Sequence, residues 1–280
     1  MSTFITTDEP LVSIIMPAYN AAPYILEAIA SVQAQSWKNW ELIIVNDGST
    51  DGTADRLDQL KDPRIKVIHQ ANAGVSAARN AALDKATGAF IAFLDSDDVL
   101  PPRSLEARAT ILQQHPEVCF ADGAVLRLDA ASRQLTGMFI PSFHGVPFDR
   151  LIALSSDCFF GPSWMIRRTA ATDKRFPVQM RHAEDLAYYL SMARAGRYDH
   201  TAEPVLHYRQ GQASAMGDLK GLEQGYAQLF AFVQELEHPP AADQLSAMRS
   251  RMRRIMFRSY LKKGMIRDAV RIRSGSFPSI

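Results

Sequence analysis

Residues 90–98 read Phe-Ile-Ala-Phe-Leu-Asp-Ser-Asp-Asp. The first five are apolar, and a short apolar run that ends in turn-forming residues predicts a buried strand. Asp95 and Asp97 are separated by one residue, so both carboxylates can point to the same side just beyond that strand. Two such oxygen ligands suit Mg²⁺ or Mn²⁺ shared with phosphate groups of a substrate. The alternative is a carboxylate-rich turn in which Asp98 caps a helix over 104–115.

Three more apolar runs precede this stretch, and segments with helical spacing separate them. The predicted strands are Val12–Met16, Leu42–Val45, Ile65–Ile68 and Phe90–Leu94, and the predicted helices cover 24–34, 53–60 and 76–86. Strands that alternate with helices of this length form parallel pairs with crossover connections. The sequence therefore predicts an α/β fold with a mostly parallel, twisted sheet and helices on both of its faces.

The alternation becomes irregular after Pro101-Pro102. Further helices are predicted at 104–115 and 184–195, and further strands at 118–128, 137–140 and 205–209. From Asp218 the pattern is helical, with a break at Pro239-Pro240, a stop at Gly264 and a short final helix. These changes divide the chain into segments 1–100, 101–212 and 213–280, the last being a helical C-terminal extension.

Polar and aromatic residues follow three of the four early strands. They are Pro17–Asn20, Asn46–Ser49 and Asp95–Asp98. In an open parallel sheet, ligands bind beyond the carboxyl ends of the strands. We therefore expect these three segments to meet in one crevice.

Several classes of protein are disfavoured by what the sequence lacks. It has no Gly-x-Gly-x-x-Gly, no Gly-x-x-x-x-Gly-Lys and no Gly-x-Ser-x-Gly motif, which argues against dehydrogenases, P-loop nucleotidases and serine hydrolases. Its seven histidines and two cysteines have no metal-ligand spacing. Residues 1–9 lack the features of a secretory signal, and no run approaches the length of a membrane span. With Cys119 and Cys158 both in apolar surroundings, we expect a cytoplasmic protein.

The net charge of +1 conceals an uneven distribution. Residues 249–273 contain ten Arg or Lys and one acid, Asp268. Apolar residues recur there at helical spacing at Met248, Met252, Ile255 and Met256. A basic amphipathic helix of this kind predicts peripheral association with an anionic membrane, at the inner face for a cytoplasmic protein. The alternative is a helical hairpin packed on the rest of the chain, and the scarcity of aromatic residues argues against nucleic acid.

Five motifs, taken in order, resemble the family 2 glycosyltransferases of the GT-A fold. They are Val-Ser-Ile-Ile-Met-Pro-Ala-Tyr-Asn (12–20), Glu-Leu-Ile-Ile-Val-Asn-Asp-Gly-Ser-Thr-Asp-Gly-Thr (41–53), Asn-Ala-Gly-Val-Ser-Ala-Ala-Arg-Asn (72–80), Phe-Leu-Asp-Ser-Asp-Asp (93–98) and Glu184-Asp185. The resemblance implies that segment 1–100 binds a nucleotide-sugar donor, expected to be a UDP-sugar. It also implies that segment 101–212 binds a glycan or lipid-linked acceptor.

The same resemblance implies roles for the residues around the base of the nucleotide. Pro17 and Tyr19 would line the base pocket, and Asp47 would accept a hydrogen bond from N3–H of uracil. Asp47 could also close an Asx-turn after its strand. Arg79 would approach the nucleotide or its diphosphate, the alternative being a solvated arginine on a helix surface.

At the reacting end, Asp95 would contact ribose or metal, and Asp97 would ligate Mn²⁺ or Mg²⁺ bridging the two phosphates. Asp185 would be the general base of an inverting transfer. The alternative is that Glu184 and Asp185 only complement the dipole of helix 184–195. The family often carries a His after the Tyr-Arg pair of the late strand, but Gln210 follows that pair here.

The sequence thus predicts an inverting, metal-dependent glycosyltransferase. A catalytically silent relative that binds nucleotide sugar, or a partner protein at a membrane surface, is the alternative. A sugar nucleotidyltransferase is disfavoured because Pro-Ala-Tyr-Asn (17–20) stands where a glycine-rich basic loop would be needed. Phe159–Trp164 could form an aromatic platform for a sugar acceptor or could belong to the core.

Overall fold

The computed structural model describes residues 9–211 and 217–275. Within these ranges the strands are β1 (Val12–Ala18), β2 (Trp40–Asp47), β3 (Ile65–Gln70), β4 (Phe90–Phe93), β5 (Val118–Asp129), β6 (Leu135–Phe139), β7 (Met165–Arg167) and β8 (Arg197–Gln210). The helices are α1 (Ile25–Gln33), α2 (Thr53–Asp58), α3 (Val75–Leu83), α4 (Ser104–Gln114), α5 (Phe148–Ile152), α6 (Glu184–Met192), α7 (Leu219–Gln234), α8 (Ala242–Lys262) and α9 (Ile266–Arg273). Residues 1–8, and the predicted boundary between 212 and 213, lie outside the described residues.

The strands form one mixed sheet, in which β3, β2, β1 and β4 lie side by side and parallel. Next to β4 the direction reverses, because β7 pairs antiparallel with both β4 and β5. The first half of β5 pairs with β7 and the second half with β6, while β8 runs parallel along β5. The prediction of a mostly parallel α/β sheet is confirmed, and the antiparallel pairs are confined to β6 and β7.

Helices cover both faces of the sheet, as predicted. Alternate residues of β1 face opposite ways: Ile14 packs in the layer formed by α1 and α4, whereas Ile15 packs in the layer formed by α3 and α6. Both residues are fully buried. The central strands β1, β2 and β4 are buried along their whole length and are therefore rich in apolar residues, as expected where both faces of a sheet are covered.

The C-terminal helices extend the second of these layers. Met248, Met252, Met256 and Tyr260 of α8 have no exposed surface and belong to the same apolar cluster as α6 and α7. Ile255, which the sequence assigned to this stripe, is only half-buried. The apolar stripe of α8 thus packs on the protein, as the hairpin alternative required. Across the described residues, no helix has the length and hydropathy needed to span a bilayer.

Two elements were not expected from the sequence. The helix α5 and the strand β7 lie in the region 137–164 and just after it, and they contain five and three residues. The late strand β8 also begins at Arg197, well before the predicted start at 205. Because β7 joins β4 to β5, this short strand is what makes the sheet continuous.

Candidate active site

The three segments that follow β1, β2 and β4 lie at one edge of the sheet, because these strands are parallel neighbours. The first two segments are directly linked: the amide of Asn20 donates to Oγ of Ser49 at 3.0 Å, and the amide of Thr50 donates to Oδ1 of Asn20 at 2.8 Å. Tyr19 is 54% exposed at this edge, whereas Pro17 is buried within β1. Of the two, only Tyr19 offers a ring surface to solvent.

The carboxylate of Asp47 is buried at the end of β2 and holds the loop that leads into α3. It accepts hydrogen bonds from Nε2 of Gln70 at 2.7 Å, from the amide of Ala73 at 2.9 Å and from the amide of Gly74 at 2.8 Å. None of these donors is local to β2, so the expected Asx-turn at Asp47 is not formed. The neighbouring Asn46 instead stabilises the loop after β2, since its Oδ1 accepts from the amide of Ser49 three residues on.

Arg79, on α3, is 3% exposed and lies between two carboxylates. Its Nη2 is 2.9 Å from Oδ1 of Asp95, and its Nη1 is 3.0 Å from Oε1 of Glu184. The alternative of a solvated surface arginine is therefore wrong. Burial alone would lower the pKa of Arg79, but the two carboxylates outweigh it and raise this pKa, so the guanidinium stays charged.

The turn after β4 places three aspartates in different surroundings. Asp95 is half-buried against Arg79, Asp97 is exposed and Asp98 is buried. Oδ1 of Asp98 accepts from the backbone amide of Arg209 at 2.8 Å, so Asp98 joins the turn to β8. It does not cap α4, whose N-cap residue is Arg103. The alternative in which Asp98 caps this helix is therefore wrong.

The crowding of negative charge at this turn favours a cation. Asp97 has an exposed surface, but neighbouring groups desolvate its carboxyl, and this desolvation together with the charge of Asp95 raises its pKa. Burial and the charges of Asp97 and Asp95 raise the pKa of Asp98. No group of three or more potential metal ligands occurs among the residues that the structure describes. Mg²⁺ and Mn²⁺ sites that share substrate phosphates often use only one or two carboxylates. Asp95 and Asp97 fit such a site.

Asp185 lies in the first turn of α6, directly after Glu184. A methyl group added at Gly161 would lie 3.9 Å from Oδ2 of Asp185, so the carboxylate faces the backbone of the loop before β7. Glu184 points elsewhere, to Arg79. Burial and the negative charge of Glu184 raise the pKa of Asp185, and Arg79 opposes this shift. The pKa is tuned in the direction that a general base working near neutral pH requires.

The aromatic residues between Phe159 and Trp164 pack in or against the core. Trp164 is fully buried, and its ring stacks on Tyr189 with centroids 4.2 Å apart, so it belongs to the core. Phe160 is half-buried and contacts the ring of Tyr208 edge-on. This loop reaches Asp185 at Gly161.

One residue of the site was not identified from the sequence. Arg209 is buried, its Nη2 lies 2.8 Å from Oε2 of Glu27, and its backbone supports Asp98. Its charge also lowers the pKa of Asp97, against the larger effect of desolvation by neighbouring groups. The Tyr-Arg pair at 208–209 was the available signal. The family histidine that follows this pair is absent, and His207 instead pairs through its backbone with Val99.

Residues 13–175 match the family model described as Glycosyl transferase family 2. The chain belongs to this family. Three curated relatives show how much of this chain and of each relative the similarity covers. A provisionally named teichuronic acid biosynthesis glycosyltransferase of Bacillus subtilis, TuaG, is 35% identical over 68% of this chain and 75% of its own length.

The second family relative is UDP-Glc:alpha-D-GlcNAc-diphosphoundecaprenol beta-1,3-glucosyltransferase WfgD of Escherichia coli. It is 34% identical over 66% of this chain and 70% of its own length. The third, an uncharacterized glycosyltransferase of Rickettsia bellii, is 31% identical over 65% of this chain, but the match spans only 26% of that longer protein.

Two solved structures confirm the GT-A fold that the sequence resemblance predicted. Staphylococcus aureus TarS residues 1–349, crystallised with UDP-GlcNAc, superposes with a TM-score of 0.67 at 19% identity, covering 89% of this chain and 72% of TarS. The mannosyltransferase PcManGT of Pyrobaculum calidifontis, solved with GDP-Man and Mn²⁺, superposes with a TM-score of 0.62 at 20% identity. That match covers 96% of this chain and 80% of PcManGT.

Proposed function

We propose that this family 2 glycosyltransferase moves a sugar from a nucleotide-diphosphate donor, a UDP-sugar, to a hydroxyl group of a glycan or lipid-linked acceptor, with inversion at the anomeric carbon. One observation carries the proposal. Arg79 brings the acidic turn after β4 and the first turn of α6 to a single buried guanidinium, so Asp95 and Asp185 border the same crevice.

The donor would lie along the edge formed by the first two strands, within segment 1–100. The exposed ring of Tyr19 offers a stacking surface for a base, next to Pro17. Asp47 already receives three hydrogen bonds, so its negative charge is fixed in position before any base arrives. A carboxylate has about four acceptor sites, which leaves room for the N3–H of uracil. Arg79 would act on the donor through Asp95, whose carboxylate it orients towards the ribose.

The chemical step assigns one role to Asp185. Its carboxylate would accept the proton of the acceptor hydroxyl as that oxygen attacks the anomeric carbon. The new carbon–oxygen bond forms on the face opposite the breaking bond to the diphosphate, and the nucleotide diphosphate leaves with both bonding electrons. The loop at Gly161, in segment 101–212, would hold the acceptor against Asp185.

Asp95 and Asp97 would hold Mn²⁺ or Mg²⁺ together with the donor phosphates. Such an ion stabilises the negative charge that develops on the leaving diphosphate. The Mn²⁺ bound to PcManGT supports this assignment. The printed activity of WfgD, which uses a diphosphoundecaprenol acceptor, supports a lipid-linked acceptor for this chain as well.

The first experiment is isothermal titration of the whole chain with UDP, GDP and dTDP, each with Mn²⁺ and with EDTA. We expect UDP to bind in Mn²⁺ and at least about tenfold more weakly in EDTA, because the metal site contributes to phosphate binding. Asp97→Asn should remove the difference between Mn²⁺ and EDTA. The matched control Asp173→Asn, an exposed aspartate in a surface ion pair, should leave it unchanged.

Failure of all three nucleotides to bind would overturn the proposal. Preferential binding of GDP or dTDP would overturn the UDP assignment alone. A catalytically silent relative is distinguished by turnover: with a radiolabelled donor sugar of the nucleotide that binds, the wild-type chain should release free nucleotide diphosphate when an acceptor is added. Binding without turnover on a panel of glycan and lipid-linked acceptors would favour the silent alternative.

A further inference from the structure

The end of the hairpin formed by α8 and α9 exposes apolar side chains. Leu261, Ile266 and Val270 are 43%, 57% and 61% exposed. Ile266 and Val270 are four residues apart on α9 and so lie on the same face of that helix. Leu261 lies in the last turn of α8, directly before a tight turn into α9 in which the amide of Gly264 donates to its carbonyl oxygen.

Basic side chains surround these apolar groups. Lys262, Lys263 and Arg267 are exposed, and within the described residues none of the three forms a salt bridge. Asp268, the only acid between 249 and 273, is already paired with Lys220 and Arg271. We call this surface the tip patch: Leu261, Lys262, Lys263, Ile266, Arg267 and Val270.

The tip patch is separate from the apolar stripe of α8. That stripe is already covered by the rest of the protein, since Met252 and Met256 are fully buried. The same holds for the inner face of α9, where Ala269 and Ile272 have no exposed surface. What remains on α9 is therefore an outer face whose apolar residues no described part of the chain covers.

We propose that the tip patch binds the surface of an anionic lipid bilayer. Uncompensated lysines and arginines next to exposed apolar side chains suit this surface, because the charges meet the headgroups while the apolar groups enter the boundary of the acyl chains. The charge selects an anionic surface over a neutral one. This inference rests on the C-terminal helices alone and is independent of the proposed transfer reaction.

The test is co-sedimentation of the whole chain with vesicles of phosphatidylcholine alone or phosphatidylcholine mixed with phosphatidylglycerol. We expect binding to the mixed vesicles only, weakened by salt. Each basic residue near an anionic surface changes partitioning by roughly fivefold. The triple variant Lys262→Glu/Lys263→Glu/Arg267→Glu should therefore bind more than about a hundredfold more weakly, because each substitution removes a positive charge and adds a negative one. The control is Arg56→Glu/Lys61→Glu/Lys85→Glu, which removes the same charge from exposed positions elsewhere and should retain most of the binding.

The apolar part is tested separately with Ile266→Ser/Val270→Ser, which should abolish the binding that survives high salt. Its control is Leu135→Ser/Met138→Ser, two exposed apolar residues of β6 that should be neutral. Circular dichroism and UDP titration monitor folding, and the milder Lys262→Gln/Lys263→Gln replaces any variant that unfolds. Two outcomes would overturn the proposal: absence of wild-type binding to anionic vesicles, or equal losses of binding in the tip and control variants. The first outcome would favour an acidic protein as the partner of the tip patch. A normal nucleotide titration in the tip variants keeps this outcome distinct from that of the transferase proposal.

Discussion

Arg79 and Glu184 are 105 residues apart in the chain, yet Nη1 of Arg79 lies 3.0 Å from Oε1 of Glu184. The other terminal nitrogen of Arg79 binds Asp95. One buried cation therefore fixes the acidic turn after β4 relative to the first turn of α6. Since Asp185 directly follows Glu184, the position of the proposed base depends on an arginine that need not touch the substrate.

Replacing Arg79 with Met should be strongly destabilising. The change leaves the carboxylates of Asp95 and Glu184 without their shared cation, and removal of one partner from a buried ion pair costs about 3–5 kcal/mol. Denaturant unfolding followed by circular dichroism measures the loss. The comparison variant Arg175→Met breaks exposed pairs with Asp84 and Asp173 and should cost about 0.2–1 kcal/mol for each pair. Similar losses in the two variants would argue against the central role of Arg79.

Arg79→Lys separates positioning from folding. Lysine keeps the charge, but a single ammonium group cannot reproduce the two-sided contact of the guanidinium. We expect a folded protein whose UDP binding changes little and whose kcat falls by more than about tenfold, as small displacements of a catalytic group can cost up to about a hundredfold. A variant with normal kcat would show that Asp185 keeps its position without Arg79.

Asp185→Asn should abolish most of the turnover while leaving donor binding intact. Loss of a general base costs about 10²–10⁴-fold in rate, and the asparagine side chain is similar in size to the aspartate. Steady-state release of nucleotide diphosphate, together with UDP titration, measures both quantities. A fall in UDP affinity that accounts for the lost rate would contradict the assignment.

Asp243 provides a control for the helix-dipole alternative. It is the second residue of α8, just as Asp185 is the second residue of α6, and it is exposed. Asp243→Asn removes the same favourable charge from the first turn of a helix, which is worth about 0.3–1 kcal/mol of stability. We expect it to retain full turnover. Equal kinetic effects of the two substitutions would favour a structural role for both.

The pH dependence of turnover should reflect the raised pKa of Asp185. Burial and the charge of Glu184 raise this pKa above its ordinary value of 3.8. A base must be ionised to accept a proton, so kcat should fall as the pH drops through the raised pKa. The acid limb should then lie at a higher pH than an ordinary aspartate would give. A wild-type rate that stays constant down to the ordinary aspartate pKa would contradict this expectation.

Ionisation of Asp185 should favour turnover but lower the stability of the fold. A carboxyl whose pKa is higher in the folded state binds its proton more tightly there, so its ionisation costs stability above the folded pKa. That cost disappears as the pH falls towards the unfolded pKa. Asp185→Asn should therefore be at least as stable as the wild type at neutral pH, with the advantage lost in acid. Denaturant unfolding of both proteins at neutral and at acid pH measures the difference in their free energies of unfolding.

The parallel half of the sheet could be predicted because its strands carry an unambiguous local signal. Strands β1 and β2 are buried on both faces, so each reads as one apolar run, and the predicted segments lie inside the observed ones. The turn after β4 was equally accessible, because Asp95 and Asp97 follow such a run directly. These features depend only on residues that are close together in the sequence, so the sequence alone is enough to predict them.

The remaining features depend on contacts between distant residues. The three residues of β7 are too few to show a period, and α5 is a little over one turn. The residues around Arg79 and those around Glu184 give no indication that the two side chains form an ion pair. The stripe of α8 was recognised, but an amphipathic helix has the same pattern whether protein or lipid covers it, so only the structure assigned that stripe to the core.

Gly48 and Gly52 offer a matched pair that tests how closely the loops of the donor edge are packed. Both have left-handed backbones, with φ of +71° and +85°. A methyl group at Gly48 would lie 2.7 Å from the backbone nitrogen of Asn72, in the loop that Asp47 holds, whereas one at Gly52 would meet nothing within 4 Å. Gly52→Ala should cost only the left-handed penalty, about 1–2 kcal/mol, while Gly48→Ala should cost more and also weaken UDP binding. If both variants lose the same free energy of unfolding and the UDP affinity is unchanged, the loop at Asn72 can move aside at little cost and does not determine the shape of the donor site.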